Sequence, residues 1–136
     1  INIASGKKLS VKQKDIKIKG HSIECRINSE DPSTFVPNAG TVINYHVPGG
    51  LGVRIDSALY SGYKVPPNYD SLIAKLIVYG NTREEAITKL KIALKEYVID
   101  GIDTTLPLHD RIIREKAFIS GNYDIRWLEN FLKTND

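Results

Sequence analysis

The chain has 136 residues, 41% apolar and 26% charged, a balance near the globular average that excludes a disordered or fibrous protein. Its formal net charge of +3 is scattered. The densest basic run, Lys12, Lys14, Lys17 and Lys19, encloses Asp15 and has no interleaved aromatic residues, which argues against nucleic-acid binding.

A chain of this length buries roughly two-thirds of its unfolded surface, so one domain over residues 1–136 is expected. The longest apolar runs, Leu72–Ala74 and Leu76–Tyr79, are far shorter than the roughly 20 residues of a membrane helix. No apolar stretch follows Lys7 and Lys8, so no signal-peptide pattern opens the chain. Cys25 is the single cysteine; it excludes an internal disulfide and fits a reducing, cytoplasmic setting. His21, His46 and His109 are too widely separated for metal-ligand spacing, so no metal site is expected. There is no methionine, and Ile1 is a large residue where removal of an initiator favours a small one. Residue 1 is therefore expected not to be a native start, and residues 1–6 to be the tail of a preceding helix stopped at Gly6.

Alternation of apolar and polar residues predicts strands over Ile16–Ile18 and Ile23–Asn28. Asp31-Pro32, Ser33 and Pro37 mark a turn-rich loop over 29–37. Short strands are expected at Thr41–Tyr45 and Val53–Ile55, separated by the loop Val47-Pro48-Gly49-Gly50-Leu51-Gly52. Pro66-Pro67-Asn68 then punctuates before a longer strand at Ser71–Tyr79. Thr82 and Glu85 fit a capping box, and Ala86, Ile87, Leu90, Ala93, Leu94 and Tyr97 form one helical apolar stripe. Glu85 and Lys89 form a favourably oriented i, i+4 pair. Asp100-Gly101 reads as a stop, Pro107 as the first turn of a helix burying Leu108, Ile112 and Ile113. A last helix after Asn122 or Asp124 would bury Trp127, Leu128 and Phe131. Strands first and helices later predict an α+β domain, mostly antiparallel, with flanking helices in the C-terminal half.

On the strand Ile23–Asn28, Ile23, Cys25 and Ile27 share the buried face, and Ser22, Glu24, Arg26 and Asn28 the other. The guanidinium of Arg26 offers a planar fork of donors suited to a carboxylate, bicarbonate or a developing oxyanion. An exposed sheet face carrying a Glu24–Arg26 pair worth less than ~1 kcal/mol explains the same pattern. The glycine run Gly49-Gly50-Leu51-Gly52 reads as a turn between strands, because a phosphate loop needs a helix after it and Val53–Asp56 is strand-like. Asp70 and Ser71 suit a local turn bond or an interface, and spacing does not choose between them. Ser71, His109 and Asp110 lack a nucleophile-elbow context.

Longer runs carry a resemblance. Gly20-His21-Ser22-Ile23-Glu24-Cys25-Arg26-Ile27-Asn28-Ser29-Glu30-Asp31-Pro32 resembles the GHAIECRINAEDP segment of biotin carboxylases. Pro48-Gly49-Gly50-Leu51-Gly52-Val53-Arg54 is similar to that family's PGG-x-GVR loop, and Val65–Leu76 to its VPPYYDSLIAKL segment. Arg83-Glu84-Glu85-Ala86 and Gly101-Ile102-Asp103-Thr104-Thr105 match in order, so the likeness runs from about Ser5 to Glu129.

The resemblance implies the C-terminal domain of a biotin carboxylase, a rudimentary hybrid motif flanked by helices. It implies an ATP-dependent ligase that uses ATP, Mg2+ and bicarbonate to carboxylate N1′ of biotin on a biotin carboxyl carrier protein or domain. The ATP-grasp domain of the same polypeptide would lie upstream, the intact enzyme would be a homodimer, and this fragment would be inactive alone. By resemblance Arg26 contacts bicarbonate and the biotin ureido oxygen. Ile125 falls in the adenine pocket, and Leu51 and Arg54 at the subunit interface. Leu51 departs from the aromatic residue frequent there, and Asn68 from the usual tyrosine. Glu24 as an orienting group for Arg26 is an inference from strand alternation. Acetyl-CoA carboxylase of fatty acid biosynthesis, pyruvate carboxylase and propionyl-CoA carboxylase share this half-reaction, so the acceptor stays open. A noncatalytic dimerisation or docking module is the alternative. An autonomous nucleotide-binding enzyme is disfavoured, since neither a phosphate loop nor a metal-binding carboxylate cluster is evident.

Overall fold

The computed structural model describes residues 1–134; Asn135 and Asp136, the end of the expected domain, lie outside the described residues. The strands are β1 (His21–Asn28), β2 (Tyr45–His46), β3 (Val53–Ser57), β4 (Leu72–Gly80) and β5 (Val98–Ile99). The helices are α1 (Arg83–Glu96), α2 (Leu106–Ile112), α3 (Lys116–Ser120) and α4 (Trp127–Thr134). β4 lies between β1 and β3 in an antiparallel three-stranded sheet, and β2 pairs antiparallel with β5. The fold is α+β, with antiparallel strands first and helices after.

β4 is central because it is the longest strand, rich in Leu, Ile and Val, and buries its inner face. Ala74, Leu76 and Val78 point inward with Cys25 and Ile27 of β1. In register, Leu76 stands opposite Cys25 on one side and Ile55 on the other. α1 covers this face with Ala86, Leu90, Ala93 and Leu94, all buried. Its start follows the expected signal: the Thr82 hydroxyl accepts from Glu85 N–H at 3.2 Å. The carboxylate of Glu85 reaches one residue further back, to the N–H of Asn81 at 2.8 Å, and also pairs with Lys89 at 2.9 Å.

Arg83 ties three elements together. Its guanidinium meets His21 Nε2 at 2.9 Å, donates to the carbonyls of Phe118 and Ile119 near the end of α3, and lies 5.0 Å over the Phe118 ring. From there Phe118 stacks on Tyr123, Tyr123 meets Trp127 at a tilt of 51°, and Trp127 stacks on Phe131, a chain of ring contacts that joins α4 to the end of α3. Phe131 is buried as expected, but Trp127 and Leu128 are only half-buried.

Several expectations are corrected. Ile16–Ile18 is not a strand: Ile16 is 55% and Ile18 95% exposed, and alternation without a neighbouring strand leaves the ladder unpaired. The strand expected at Thr41–Tyr45 shrinks to Tyr45–His46. Its earlier residues divide their bonds: Val42 N–H donates to Tyr63 O at 2.9 Å, Ile43 N–H to Asp100 O at 2.7 Å. The helix stop comes at Tyr97, ahead of Asp100-Gly101, and the two-residue strand β5 intervenes. Gly101 serves the turn after β5: its φ is +96°, and a Cβ there would stand 2.3 Å from Thr41 O. α2 begins with Pro107 in its first turn and buries Leu108, with Ile113 buried at its end; Ile112 is only half-buried.

Candidate functional site

The outer face of the three-stranded sheet carries the polar side chains of β1. Ser22, Glu24 and Arg26 are exposed and Asn28 half-buried, as alternation requires. The register sets two rows across this face: Glu24, Ile77 and Arg54; then Arg26, Lys75 and Asp56. Arg54 is engaged with its own strand, donating through Nε and a terminal nitrogen to Asp56 at 2.8 and 2.9 Å. That bidentate bond lowers the Asp56 pKa and raises that of Arg54.

Arg26 differs. The ion pairs among the described residues are Arg54–Asp56, Lys89–Glu85 and Arg114–Asp110, and the Arg26 guanidinium is in none of them. No hydrogen bond or ion pair joins Glu24 to Arg26. An exposed guanidinium flanked by Lys75 is a positive position open to an anion.

The backbone of Arg26 is held more firmly than its side chain. β1 is an edge strand, so the groups facing away from β4 need other partners. Thr105, just before α2, supplies them. Its N–H donates to Asn28 O at 3.1 Å, and its hydroxyl accepts from Asn28 N–H at 3.0 Å and donates to Arg26 O at 3.2 Å. One helical turn on, His109 Nε2 lies 2.8 Å from the same Arg26 carbonyl. A carbonyl only accepts, so that nitrogen carries the proton. Sequence reasoning missed both residues as parts of this site. Thr105 and His109 stand four apart at a helix start, a spacing that puts them on one face, but nothing local says which strand they meet.

Burial lowers the His109 pKa from 6.5, partly opposed by its bond to Arg26 O. Below pH 6.5 the unfolded imidazole takes up a proton that the folded one resists, so the unfolded state binds more protons. Stability is therefore expected to fall as pH drops from 6.5 toward the lower folded value. Urea unfolding across this range should show the slope, and His109→Gln should flatten it; an unchanged slope assigns it to another group. Cys25, behind Arg26, is a different case: burial first, then the nearby charge of Glu24, pushes its thiol up to about 12, leaving it an inert core residue.

Beside Arg26, Asn28 Nδ2 donates to Glu30 Oε1 at 3.1 Å, Ser71 Oγ donates to the same oxygen, and Asn28 Oδ1 is buried without a partner. Asp70 makes the local turn bond, accepting from Leu72 N–H at 2.8 Å. The loop before β3 is a glycine turn: Gly50 and Gly52 have φ of +111° and +78°, and a Cβ on Gly52 would lie 2.5 Å from Tyr79 O. At its tip Leu51 is 93% exposed. Ile125, in the turn before α4, is 97% exposed. Among the described residues no three His, Cys, Asp or Glu side chains cluster as a metal site, and no helix is long and apolar enough to cross a membrane.

Comparison with known proteins places these features in context. Residues 24–130 match the family model described as "Biotin carboxylase C-terminal domain". The chain is 55% identical over 136 residues to the biotin carboxylase of Haemophilus influenzae, covering 100% of this chain and 30% of that protein. It is 54% identical over 132 residues to that of Pseudomonas aeruginosa, covering 97% of this chain and 29% of that one. Among solved structures, the biotin carboxylase domain dimer of Hydrogenobacter thermophilus 2-oxoglutarate carboxylase, in complex with MgADP, ADP and bicarbonate, superimposes with a TM-score of 0.91 at 46% identity. That match covers 99% of this chain and 30% of that one. The chain thus spans less than a third of the length of these relatives.

Proposed function

The chain belongs to the biotin carboxylase C-terminal domain family, and from that premise we propose that it completes the bicarbonate and biotin site of an ATP-dependent biotin carboxylase. The observation that carries this reading is the exposed, unpaired guanidinium of Arg26 on the outer sheet face. When the N1′ proton of biotin leaves, negative charge moves onto the ureido oxygen. Arg26 donates hydrogen bonds to that oxygen, and these strengthen as the charge develops, which is the requirement for catalysis. In the ground state the same guanidinium holds bicarbonate by a charge-assisted fork. Glu24, on the same face, adds a negative charge that orients Arg26 once the pocket is closed.

On the family reading, the ATP phosphates and metal belong to an ATP-grasp domain of the same polypeptide. Ile125, almost fully exposed, contributes an apolar contact to the adenine pocket formed there. Residues 1–6 form a turn in which Ser5 N–H donates to Ile1 O at 2.9 Å. The biotin that accepts the carboxyl group at N1′ is borne by a carrier protein or domain in the cytoplasm. Residues 1–136 alone are expected to give no ATP-dependent carboxylation of free biotin, measured by bicarbonate incorporation. Turnover by this piece would overturn its dependence on an ATP-grasp partner.

A second contribution, to a subunit interface, rests on the family resemblance at Leu51, which is 93% exposed at the tip of its glycine turn and so accessible to a partner. Arg54 stands three residues on, at the start of β3. In the intact enzyme Arg54→Glu is expected to shift sedimentation from dimer toward monomer. An unchanged dimer would exclude Arg54 from the interface, and a dimerisation module with normal carboxylation in Arg26 variants would favour the noncatalytic alternative.

A further inference from the structure

We infer that His109 is a positioning residue for the carboxylation step, acting with Thr105 through the Arg26 main chain. This rests on the proposed role of Arg26. Arg26 lies near the end of an edge strand, where the β1–β4 register shifts between Ile27 and Asn28. Regular pairing with β4 therefore weakens just where the guanidinium must be aimed. The two outward-facing groups of Asn28 are both taken by Thr105, and the outward carbonyl of Arg26 is taken by Thr105 Oγ1 at 3.2 Å and His109 Nε2 at 2.8 Å.

These bonds do for the free edge what a further strand would do, with a difference. A strand would bond through its backbone whatever its side chains, whereas here the Arg26 carbonyl depends wholly on two side chains. Thr105 is buried and itself fixed by two bonds to Asn28. His109 is anchored one turn into α2, its N–H donating to Thr105 O at 3.1 Å. The Arg26 peptide plane is thus referred to the start of α2, and with it the Cα–Cβ direction from which the guanidinium projects. A donor at the Nε2 position of residue 109 sets this plane; the aromatic ring and its charge are incidental.

The test uses the intact carboxylase subunit. His109→Leu should lower the turnover of ATP-dependent biotin carboxylation roughly tenfold, the scale expected of a modest misplacement of a catalytic group, with KM for ATP unchanged. His109→Gln, whose amide nitrogen reaches the same position, should restore turnover to near wild type. In an Arg26→Ala background, His109→Leu should cause no further loss, since the group it positions is gone. If His109→Leu does not fold, His109→Asn, whose amide stops short of the carbonyl, takes its place. Turnover within about twofold of wild type, equal losses for Gln and Leu, or a loss that multiplies with Arg26→Ala would each overturn the inference. Wild-type turnover by Arg26→Ala alone would instead sink the role of Arg26.

Discussion

Arg26→Ala in the intact subunit is expected to lower carboxylation turnover by roughly 10²–10³-fold, the loss typical of one donor to a developing oxyanion. The side chain is exposed and makes no ion pair among the described residues, so its removal leaves no orphaned partner and no cavity. The unfolding midpoint of the variant should stay within error of wild type. This separation of activity from stability distinguishes Arg26 from its neighbours across the sheet. Asp56→Ala would strip a bidentate partner from Arg54, while Arg26→Ala strips nothing inside the chain. Steady-state kinetics beside a denaturant titration reads both quantities; a loss of turnover matched by a loss of stability would make the residue structural.

Leu76→Ala has the opposite signature. Leu76 is fully buried at the centre of β4, with Cys25 and Ile55 on either side and α1 residues in the same core. Deleting three buried carbons costs their transfer energy and leaves a cavity that close-packed neighbours fill only in part. The expected destabilisation is about 3 kcal/mol. It should appear as a lower denaturant midpoint with an unchanged slope. Ile77, one residue on, points to the outer face and is half-buried, so Ile77→Ala should cost much less in the chain by itself. Equal losses at the two positions would mean that the outer face is covered by something within the chain.

The contrast between these neighbouring positions explains how much was legible in the sequence. β1, β4 and α1 could be read because each buries one face, and a buried face stamps its period on the residues: two for Ile23, Cys25 and Ile27, near 3.6 for Ala86, Leu90 and Ala93. That same alternation put Arg26 and Glu24 outward. Alternation failed at Ile16–Ile18 because it describes faces and not neighbours. β5 escaped because two residues carry no period, and Asp100-Gly101 marked the next turn and not the helix end. α3 has five residues and no side-chain cap, so no local signal announces it. Thr105 and His109 were invisible for another reason. They meet Arg26 from 79 and 83 positions away, and only the tertiary fold brings the start of α2 to the free edge of β1.

The rest of the site lies beyond local pattern for the same cause. Leu51 and Ile125 are apolar and almost wholly exposed, and no stability argument within the chain explains them. The proposed interface and adenine-pocket roles would each bring a covering surface to one of them.

Chemical rescue of the Arg26→Ala subunit tests the central claim most directly. If the missing guanidinium is what the ureido oxygen requires, added guanidinium ion should restore carboxylation saturably, while ammonium at the same ionic strength should not. Wild-type turnover before any addition, or equal recovery with either cation, would contradict it.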